Sequence, residues 1–145
     1  MAAQSYDRLE GVIWYDGKLV PWNEANLHVL SHGLHYASCV FEGERAYGGQ
    51  IFKSAEHAER LKRSAQILDF EIPYTVAEIA AAKKLVVEKN GKKEAYVRPV
   101  AWRGSEMMGV FLTSSGGRPI RDRRPGKSVR SSPSPAKTMR RASNG

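Results

Sequence analysis

The alternation of apolar and polar residues in the first third of the chain predicts two β-hairpins. In the segment VIWYDGKLVPW, apolar, β-prone runs lie on both sides of Asp16-Gly17, a dipeptide typical of two-residue hairpin turns. The segments VFEGERAY and QIF repeat this arrangement around Gly48-Gly49. We therefore expect antiparallel strands in this part of the chain.

Two helices are predicted next. Ser54 is a good N-cap for SAEHAERLKRSAQILDF, and Pro73 closes this unit. Thr75 and Glu78 have the spacing of a capping box at the start of the second helix, which Asn90-Gly91 ends. The apolar face predicted for the first helix consists of Ala58, Leu61, Ala65 and Leu68. The face predicted for the second consists of Ile79, Ala82, Leu85 and Val86.

The segment EAYVRPVAW predicts one further strand, in which Pro99 indicates either a sheet edge or a local break. The strands and helices are segregated along the chain rather than alternating. This order favours an α+β fold of antiparallel strands plus two helices over a doubly wound parallel sheet.

The basic residues are concentrated at the C-terminus. Residues 111–145 hold nine of the 23 Lys and Arg residues and one of the 15 acids, Asp122, which accounts for the whole formal charge of +8. The segment has few large apolar residues, so it buries too little apolar surface to offset the entropy of ordering. We expect a folded domain over residues 1–110, followed by an Arg/Ser/Pro-rich tail over 111–145 that is disordered from about residue 114.

The bulk composition narrows the class of protein. Cys39 is the single cysteine, so an intramolecular disulfide is impossible and a reducing compartment is indicated. No run of residues reaches the ~20 apolar residues that a membrane helix needs, and the N-terminus lacks the apolar core of a secretory signal. We expect a cytoplasmic protein that does not interact with membranes.

The segment HGLHYASCVFEGERAY holds the densest group of candidate functional residues. His32 and His35 could bind a metal, but no third ligand is evident, so we expect no metal site. Glu42 and Glu44 would share one face of a strand, either as an acid–base pair or, more commonly, as a solvated face. Arg98 lies within an apolar strand and should face solvent or an anion. These residues indicate a pocket for a small anionic molecule and do not specify a reaction.

Several motifs follow one another between residues 11 and 110: SHGLHY, VFEG, RAY, EHAERL, AYVRP and MGV. In this order they resemble the N-terminal small domain of the branched-chain amino-acid aminotransferases, which are pyridoxal-phosphate enzymes of fold type IV. The VFEG motif also occurs in D-amino-acid aminotransferases and aminodeoxychorismate lyases, which stay open as alternatives. SHGLHY and AYVRP favour the branched-chain enzymes.

The resemblance implies roles for individual positions. Arg60 would bind the phosphate of pyridoxal 5′-phosphate, a task that suits a permanently charged, forked donor group. Tyr96 and Arg98 would lie near the carboxylates of the amino acid and of 2-oxoglutarate. The remaining substrate-side positions are Phe41, Gly43, Arg45, Tyr36 and Val110. The resemblance further implies a homodimer in which Tyr36 and Val110 reach the neighbouring subunit's pocket, and an apolar wall that suits leucine, isoleucine or valine.

The resemblance ends at Val110, before the region that carries the family's Schiff-base lysine. It therefore implies that no catalytic residue is encoded here and that this chain alone is inactive. One hypothesis for the change of character is a shifted reading frame, and the rival is a fusion to a functional cationic tail. Two non-enzymatic functions stay open, namely pairing with a partner subunit and binding nucleic acid through the tail. No aromatic residues interleave the tail's arginines, which disfavours nucleic acid.

Overall fold

The computed structural model describes residues 5–106 and the strand 136–143. Two helices pack on one face of an antiparallel sheet, which confirms the predicted α+β class. The strands are β1 (Val12–Tyr15), β2 (Lys18–Pro21), β3 (Cys39–Phe41), β4 (Glu44–Tyr47), β5 (Gln50–Ile51), β6 (Ala95–Arg103) and β7 (Ala136–Ser143). The helices are α1 (His32–Tyr36), α2 (Ser54–Ile67) and α3 (Val76–Lys89), and short 3-10 turns lie at Tyr6–Arg8 and Trp22–Glu24.

Both predicted hairpins are present. β1 pairs with β2 around Asp16 and Gly17, and β4 pairs with β5 around Gly48 and Gly49. All four turn residues have positive φ, which is the conformation that a two-residue hairpin turn requires at its centre. Glycine and aspartate at these positions therefore determine where the chain reverses.

The start of α3 confirms the predicted capping box, whereas the start of α2 does not confirm the predicted serine cap. The Glu78 amide donates to the Thr75 hydroxyl, and the Thr75 amide donates to the Glu78 carboxylate at 2.7 Å. In α2, Lys53 is the N-cap residue, in a left-handed conformation without a side-chain cap, and Ser54 is already helical. The tight turn after β5 sets this start, because Lys53 must reverse the chain before the helix begins.

The core lies between the sheet and helices α2 and α3. Within the predicted faces, Leu68 is exposed because it lies beyond the last turn of α2, and Leu85 is only partly covered at the margin of α3. The buried residues that pack together beneath the centre of the sheet are Ala58, Leu61, Ala65, Phe70, Ile72, Ile79 and Ala101. A neighbouring cluster beneath β4 and β6 consists of Ala46, Val87, Ala95 and Val97.

β3 and β4 lie end to end along the same edge of β6. Phe41 pairs with Val100 and Glu44 pairs with Val97, so the register continues unbroken across residues 42–43. Successive side chains in a strand point to opposite faces. Phe41, Gly43 and Arg45 therefore belong to the face away from the helices, and the glutamates at 42 and 44 belong to the face that the helices cover.

The expectation that Pro99 indicates a sheet edge is wrong, whereas its alternative, a local break, fits the structure. β6 is a central strand that pairs with β7 on one side and with β3 and β4 on the other. The Glu42 amide donates to the Pro99 carbonyl at 3.0 Å, but proline has no N–H to return the bond. The pairing strand is accordingly interrupted at residues 42–43, opposite this proline.

The tail was predicted to be disordered from about residue 114, but the structure differs from this prediction at residues 136–143. These residues form β7, which pairs along its whole length with β6 and also with β1. A ladder of backbone hydrogen bonds between two available strand edges can order a segment without an apolar pattern of its own. The rest of the tail, residues 111–135 and 144–145, lies outside the described residues, so the boundary at residue 110 stays a prediction.

Candidate functional site

The open face of the sheet carries most of the predicted site residues. Phe41 and Arg45 on β3 and β4 pair with residues of β6, and the same register places Gly43 opposite Arg98. The Phe41 side chain is exposed, although it is large and apolar. A Cβ added at Gly43 would lie 2.6 Å from the Tyr96 hydroxyl oxygen. Gly43 therefore makes the space in which the Tyr96 hydroxyl lies.

Arg98 is held between two aromatic rings on this face. Its guanidinium carbon lies 4.8 Å from the centre of the Phe41 ring and 5.2 Å from that of Tyr96. Its Nε and Nη2 donate to the Tyr96 hydroxyl at 3.2 and 3.0 Å. Cation–π contacts of this kind restrict a guanidinium while leaving its outer donors available. The resulting exposed, oriented cation suits recognition of a carboxylate.

The covered face places Glu42 against α2. The Glu42 side chain is only 6% exposed, and both of its oxygens accept from Arg60, from Nε at 2.7 Å and from Nη2 at 2.5 Å. His57 Nδ1 lies 2.9 Å from the same Glu42 oxygen that Nη2 binds. His57 and Arg60 reach one carboxylate because residues three apart lie on one side of a helix. Hydrogen bonds from Arg60, and to a lesser extent from His57, lower the pKa of Glu42.

Arg60 extends from this cluster toward solvent. Its side chain is 64% exposed, and the pair with Glu42 raises its pKa above the ordinary value. Within the part of the chain that the structure describes, Nη1 makes no hydrogen bond, because Glu42 engages the Nε–Nη2 edge. Arg60 is therefore a permanent cation with its orientation set on one edge and its donors available on another. This arrangement suits an anion with several oxygens, such as a phosphate.

The two glutamates share one face, as expected, but they form neither a solvated face nor an acid–base pair. Each is bound to its own cation, because the helices cover this side of the strand. Lys83 Nζ donates to the two Glu44 oxygens at 2.8 and 2.7 Å and to the Ser54 carbonyl at 2.6 Å. Both side chains of this ion pair are fully buried. The sequence did contain a sign of this buried ion pair. Lys83 lies four residues after Ile79 and therefore falls on the apolar face of α3.

The histidines around α1 have structural contacts. His32 Nδ1 lies 2.6 Å from the Ser38 hydroxyl, and His35 Nε2 lies 2.8 Å from the Val29 carbonyl. Among the described residues, no group of three His, Cys, Asp or Glu side chains could hold a metal ion. The ring contacts described for Tyr36 are with these two histidines, so the structure does not join Tyr36 to the open-face residues. Val110 lies outside the described residues.

The α+β domain thus presents two oriented cations, Arg98 on the open face of β6 and Arg60 on α2, whose arrangements suit a carboxylate and a phosphate. The family model for amino-transferase class IV matches residues 39–144. The chain therefore belongs to the class IV aminotransferases. The match extends beyond Val110 and includes β7.

Individual relatives are named as branched-chain enzymes. The chain is 51% identical over 99 residues to the "Probable branched-chain-amino-acid aminotransferase" of Rickettsia bellii (strain RML369-C) and 49% identical over 105 residues to the "Branched-chain-amino-acid aminotransferase" of Pseudomonas aeruginosa. These alignments cover 68% and 70% of this chain and 34% of each relative. The chain therefore spans about a third of the length of the curated relatives it matches.

Solved structures support the same relationship. The crystal structure of the Escherichia coli branched-chain amino acid aminotransferase superimposes with a TM-score of 0.73 at 31% identity, covering 92% of this chain and 40% of the other. A second branched-chain amino acid aminotransferase, solved with pyridoxamine 5′-phosphate, has the same TM-score and coverage at 39% identity. This similarity confirms the fold predicted from the motifs. Separately, no helix among the described residues combines the length and apolar character needed to cross a membrane.

Proposed function

We propose that this chain supplies the phosphate-binding and substrate-facing part of a pyridoxal-phosphate-dependent branched-chain aminotransferase site. The reaction would transfer the amino group of leucine, isoleucine or valine to 2-oxoglutarate. The names of the relatives support this substrate class. The observation that carries the proposal is Arg60, whose guanidinium is oriented by Glu42 while its outer edge is open to solvent.

The residues present fit the phosphate end of the cofactor. A phosphate offers several acceptor oxygens, and the Nη1 edge of Arg60 offers donors on a group that stays charged at any physiological pH. The related branched-chain enzyme solved with pyridoxamine 5′-phosphate is in keeping with this choice. When bound, the cofactor would supply an electron sink for the reacting carbon.

The open face would receive the substrate. Arg98, restricted by Phe41 and by the Tyr96 hydroxyl, would bind a carboxylate of the amino acid or of 2-oxoglutarate. Arg45 lies beside Tyr96 on the same face and would add positive charge. The exposed Phe41 ring would form part of an apolar wall for the branched side chain. Gly43 would keep the space that this arrangement needs.

We assign no catalytic residue among those described. Lys83 is not placed to form a Schiff base, because its amine lies inside the domain, bound to Glu44 and to the Ser54 carbonyl. Covalent attachment of the cofactor and transfer of the substrate α-proton would need a lysine that can contact the cofactor. The residues described would bind and orient the reactants.

We further propose a homodimer in the cytoplasm as the setting for this site. An exposed apolar patch lies on and before α1 and consists of Leu27, Val29, Leu30, Leu34 and Tyr36. Apolar patches of this kind mark contact surfaces. In a dimer, Tyr36 and Val110 would complete the partner's substrate pocket. The single cysteine, Cys39, is compatible with a reducing compartment.

The phosphate assignment can be tested without turnover. Equilibrium dialysis would compare pyridoxamine 5′-phosphate with pyridoxamine, neither of which has an aldehyde to react with surface lysines. We expect Arg60→Gln to weaken binding of the phosphorylated ligand by roughly tenfold or more, the range of a charge-assisted hydrogen bond, and to leave pyridoxamine unaffected. Arg63→Gln, an exposed arginine on the same helix, is the matched control. Equal binding by the wild type and Arg60→Gln would refute the assignment.

A further inference from the structure

The Glu42 carboxylate is bound by two residues of α2, Arg60 and His57. The carboxylate is nearly buried, and its oxygens receive two hydrogen bonds from Arg60 and lie in contact with His57 Nδ1. The backbone of Glu42 is also fixed, because the Glu42 amide donates to the Pro99 carbonyl at the interruption between β3 and β4. Glu42 is thus attached to the sheet, whereas Arg60 is an exposed residue of α2.

The geometry of this contact restricts Arg60. Two parallel hydrogen bonds between a carboxylate and a guanidinium set the plane of the guanidinium as well as its distance. An arginine on an exposed helix surface would otherwise occupy many rotamers, and a ligand would have to order it on binding. With Nε and Nη2 bound to Glu42, Nη1 stays available on a side chain that is 64% exposed.

His57 would restrict the carboxylate in turn. Its Nδ1 lies 2.9 Å from the Glu42 oxygen that also accepts from Arg60 Nη2, and 3.2 Å from Nη2 itself. With the ring proton on Nδ1, the imidazole donates to Glu42 and leaves Arg60 Nη2 to do the same. The carboxylate then has one favourable rotation, set by donors on two successive turns of one helix.

We propose that Glu42 and His57 are positioning residues that hold the Arg60 guanidinium ready for the cofactor phosphate. This inference rests on the proposed function, because it takes Arg60 as the phosphate ligand. It adds that part of the affinity for the phosphate comes from two residues that do not contact it. One of these residues is an anion adjacent to an anion site.

That negative charge allows a decisive test. If Glu42 acted only through its charge, its removal would strengthen phosphate binding by relieving repulsion. If Glu42 positions Arg60, its removal weakens binding, because the ligand must then order a free side chain. The two accounts predict opposite signs for one substitution.

The experiment uses the full chain and pyridoxamine 5′-phosphate, with the affinity and the ¹⁵N–¹H resonance of Arg60 Nε as readouts. We expect Glu42→Gln to raise Kd roughly fivefold, the cost of ordering one long side chain, and to shift the Nε resonance before any ligand is added. Glu59→Gln removes the same charge from an exposed position on the same helix. We expect it to change Kd less than about twofold.

Glu42→Asp separates the effect of charge from that of geometry, because it keeps the carboxylate but shortens the side chain. It also replaces Glu42→Gln in the test if that variant does not fold. We expect it to raise Kd as well. His57→Asn keeps a donor near the position of Nδ1 and should preserve most of the affinity that His57→Ala loses. Unchanged or tighter binding by folded Glu42→Gln or Glu42→Asp would overturn the inference.

A double-mutant cycle distinguishes failure of this inference from failure of the proposed function. In the Arg60→Gln background, Glu42→Gln should no longer weaken binding, because no guanidinium remains to be positioned. If Arg60→Gln itself has no effect on Kd, the proposed phosphate site is wrong. If Arg60→Gln weakens binding but the Glu42 variants do not, only the positioning role is wrong.

Discussion

Glu42 and Glu44 lie two residues apart on the same covered face of one interrupted strand, and each binds a cation from a helix. Lys83 and Glu44 are fully buried, and the lysine amine makes three hydrogen bonds inside the domain. Arg60 is 64% exposed and uses only one edge on Glu42. The same local geometry thus produces a closed ion pair at one position and an open one at the other.

The difference follows from the helix that supplies the cation and from the shape of its side chain. Lys83 reaches Glu44 from the interior of α3, where its ammonium group has no route to solvent. Arg60 reaches Glu42 from an exposed side of α2, and a planar fork can satisfy one carboxylate while retaining further donors. The buried pair should therefore matter mostly for folding, and the exposed pair mostly for binding.

The largest expected effect comes from breaking the buried pair. Lys83→Met would leave the Glu44 carboxylate inside the domain without a cation, which costs about 3–5 kcal/mol of unfolding free energy. Urea unfolding followed by circular dichroism would measure the loss. Lys84→Met is the matched control, because Lys84 is 63% exposed in a surface pair with Glu88 and should cost about 1 kcal/mol or less.

The same experiment can contradict the role assigned to the pair. Lys83→Met combined with Glu44→Leu should recover much of the lost stability, since no buried charge then remains. If Lys83→Met costs no more than Lys84→Met, the pair is not a determinant of stability.

An intermediate effect is expected at Gly43, which lies between the two glutamates but faces the open side. Its φ is not positive, so alanine is disfavoured by contact rather than by backbone strain. The added Cβ would lie 2.6 Å from the Tyr96 hydroxyl, and overpacking of this kind costs about 1–3 kcal/mol. Thermal and urea unfolding of Gly43→Ala would measure that cost. In a Tyr96→Phe background part of this cost should disappear, because the hydroxyl is gone while the ring carbons at 3.2 and 3.3 Å remain; equal costs in the two backgrounds would argue against the hydroxyl contact.

The smallest expected effect is the pH dependence of the Glu42 cluster. The pKa of Glu42 is lower in the folded state than its ordinary value of 4.5. Such a group stabilises the fold above the unfolded-state pKa, and the contribution is lost as the pH falls through the folded-state pKa. The difference in unfolding free energy between wild type and Glu42→Gln should therefore be constant above about pH 5 and shrink below it.

We expect that difference to be about 1 kcal/mol or less, because the partner Arg60 is largely solvated. Unfolding curves collected at a series of pH values would measure it, with Glu59→Gln as the control that should show no such loss. A difference that instead grew toward acid pH would contradict the direction assigned to the Glu42 pKa.

Sequence reasoning was most successful where the determining contacts are local. The turns at Asp16-Gly17 and Gly48-Gly49 depend on residues that tolerate positive φ, and the capping box joins residues three apart. It was wrong where distant segments decide. Pro99 lies in a central strand because β7 supplies a second neighbour, and residues 136–143 form that strand despite a polar composition.

For the candidate site as well, the sequence predicted the local features and not the contacts between distant residues. The motifs predicted Arg60, Arg98, Tyr96, Phe41 and Gly43 as site positions, and the alternation of a strand predicted that Glu42 and Glu44 share a face. The sequence did not show that Glu42 orients Arg60, since these residues lie 18 positions apart. It did not show either that Lys83 neutralises Glu44 across 39 positions.

By itself the sequence determined the two hairpin turns, the capping box of α3, the residues that alternate along each strand, and the family to which the chain belongs. Short-range sterics and hydrogen bonding act between neighbouring residues, so these properties can be read in order along the chain. Only the tertiary structure decided which carboxylate receives which cation and how far each pair is removed from water. Burial and charge pairing depend on segments that folding brings together, and one apolar helix face can bury a lysine only when a strand presents its counterion.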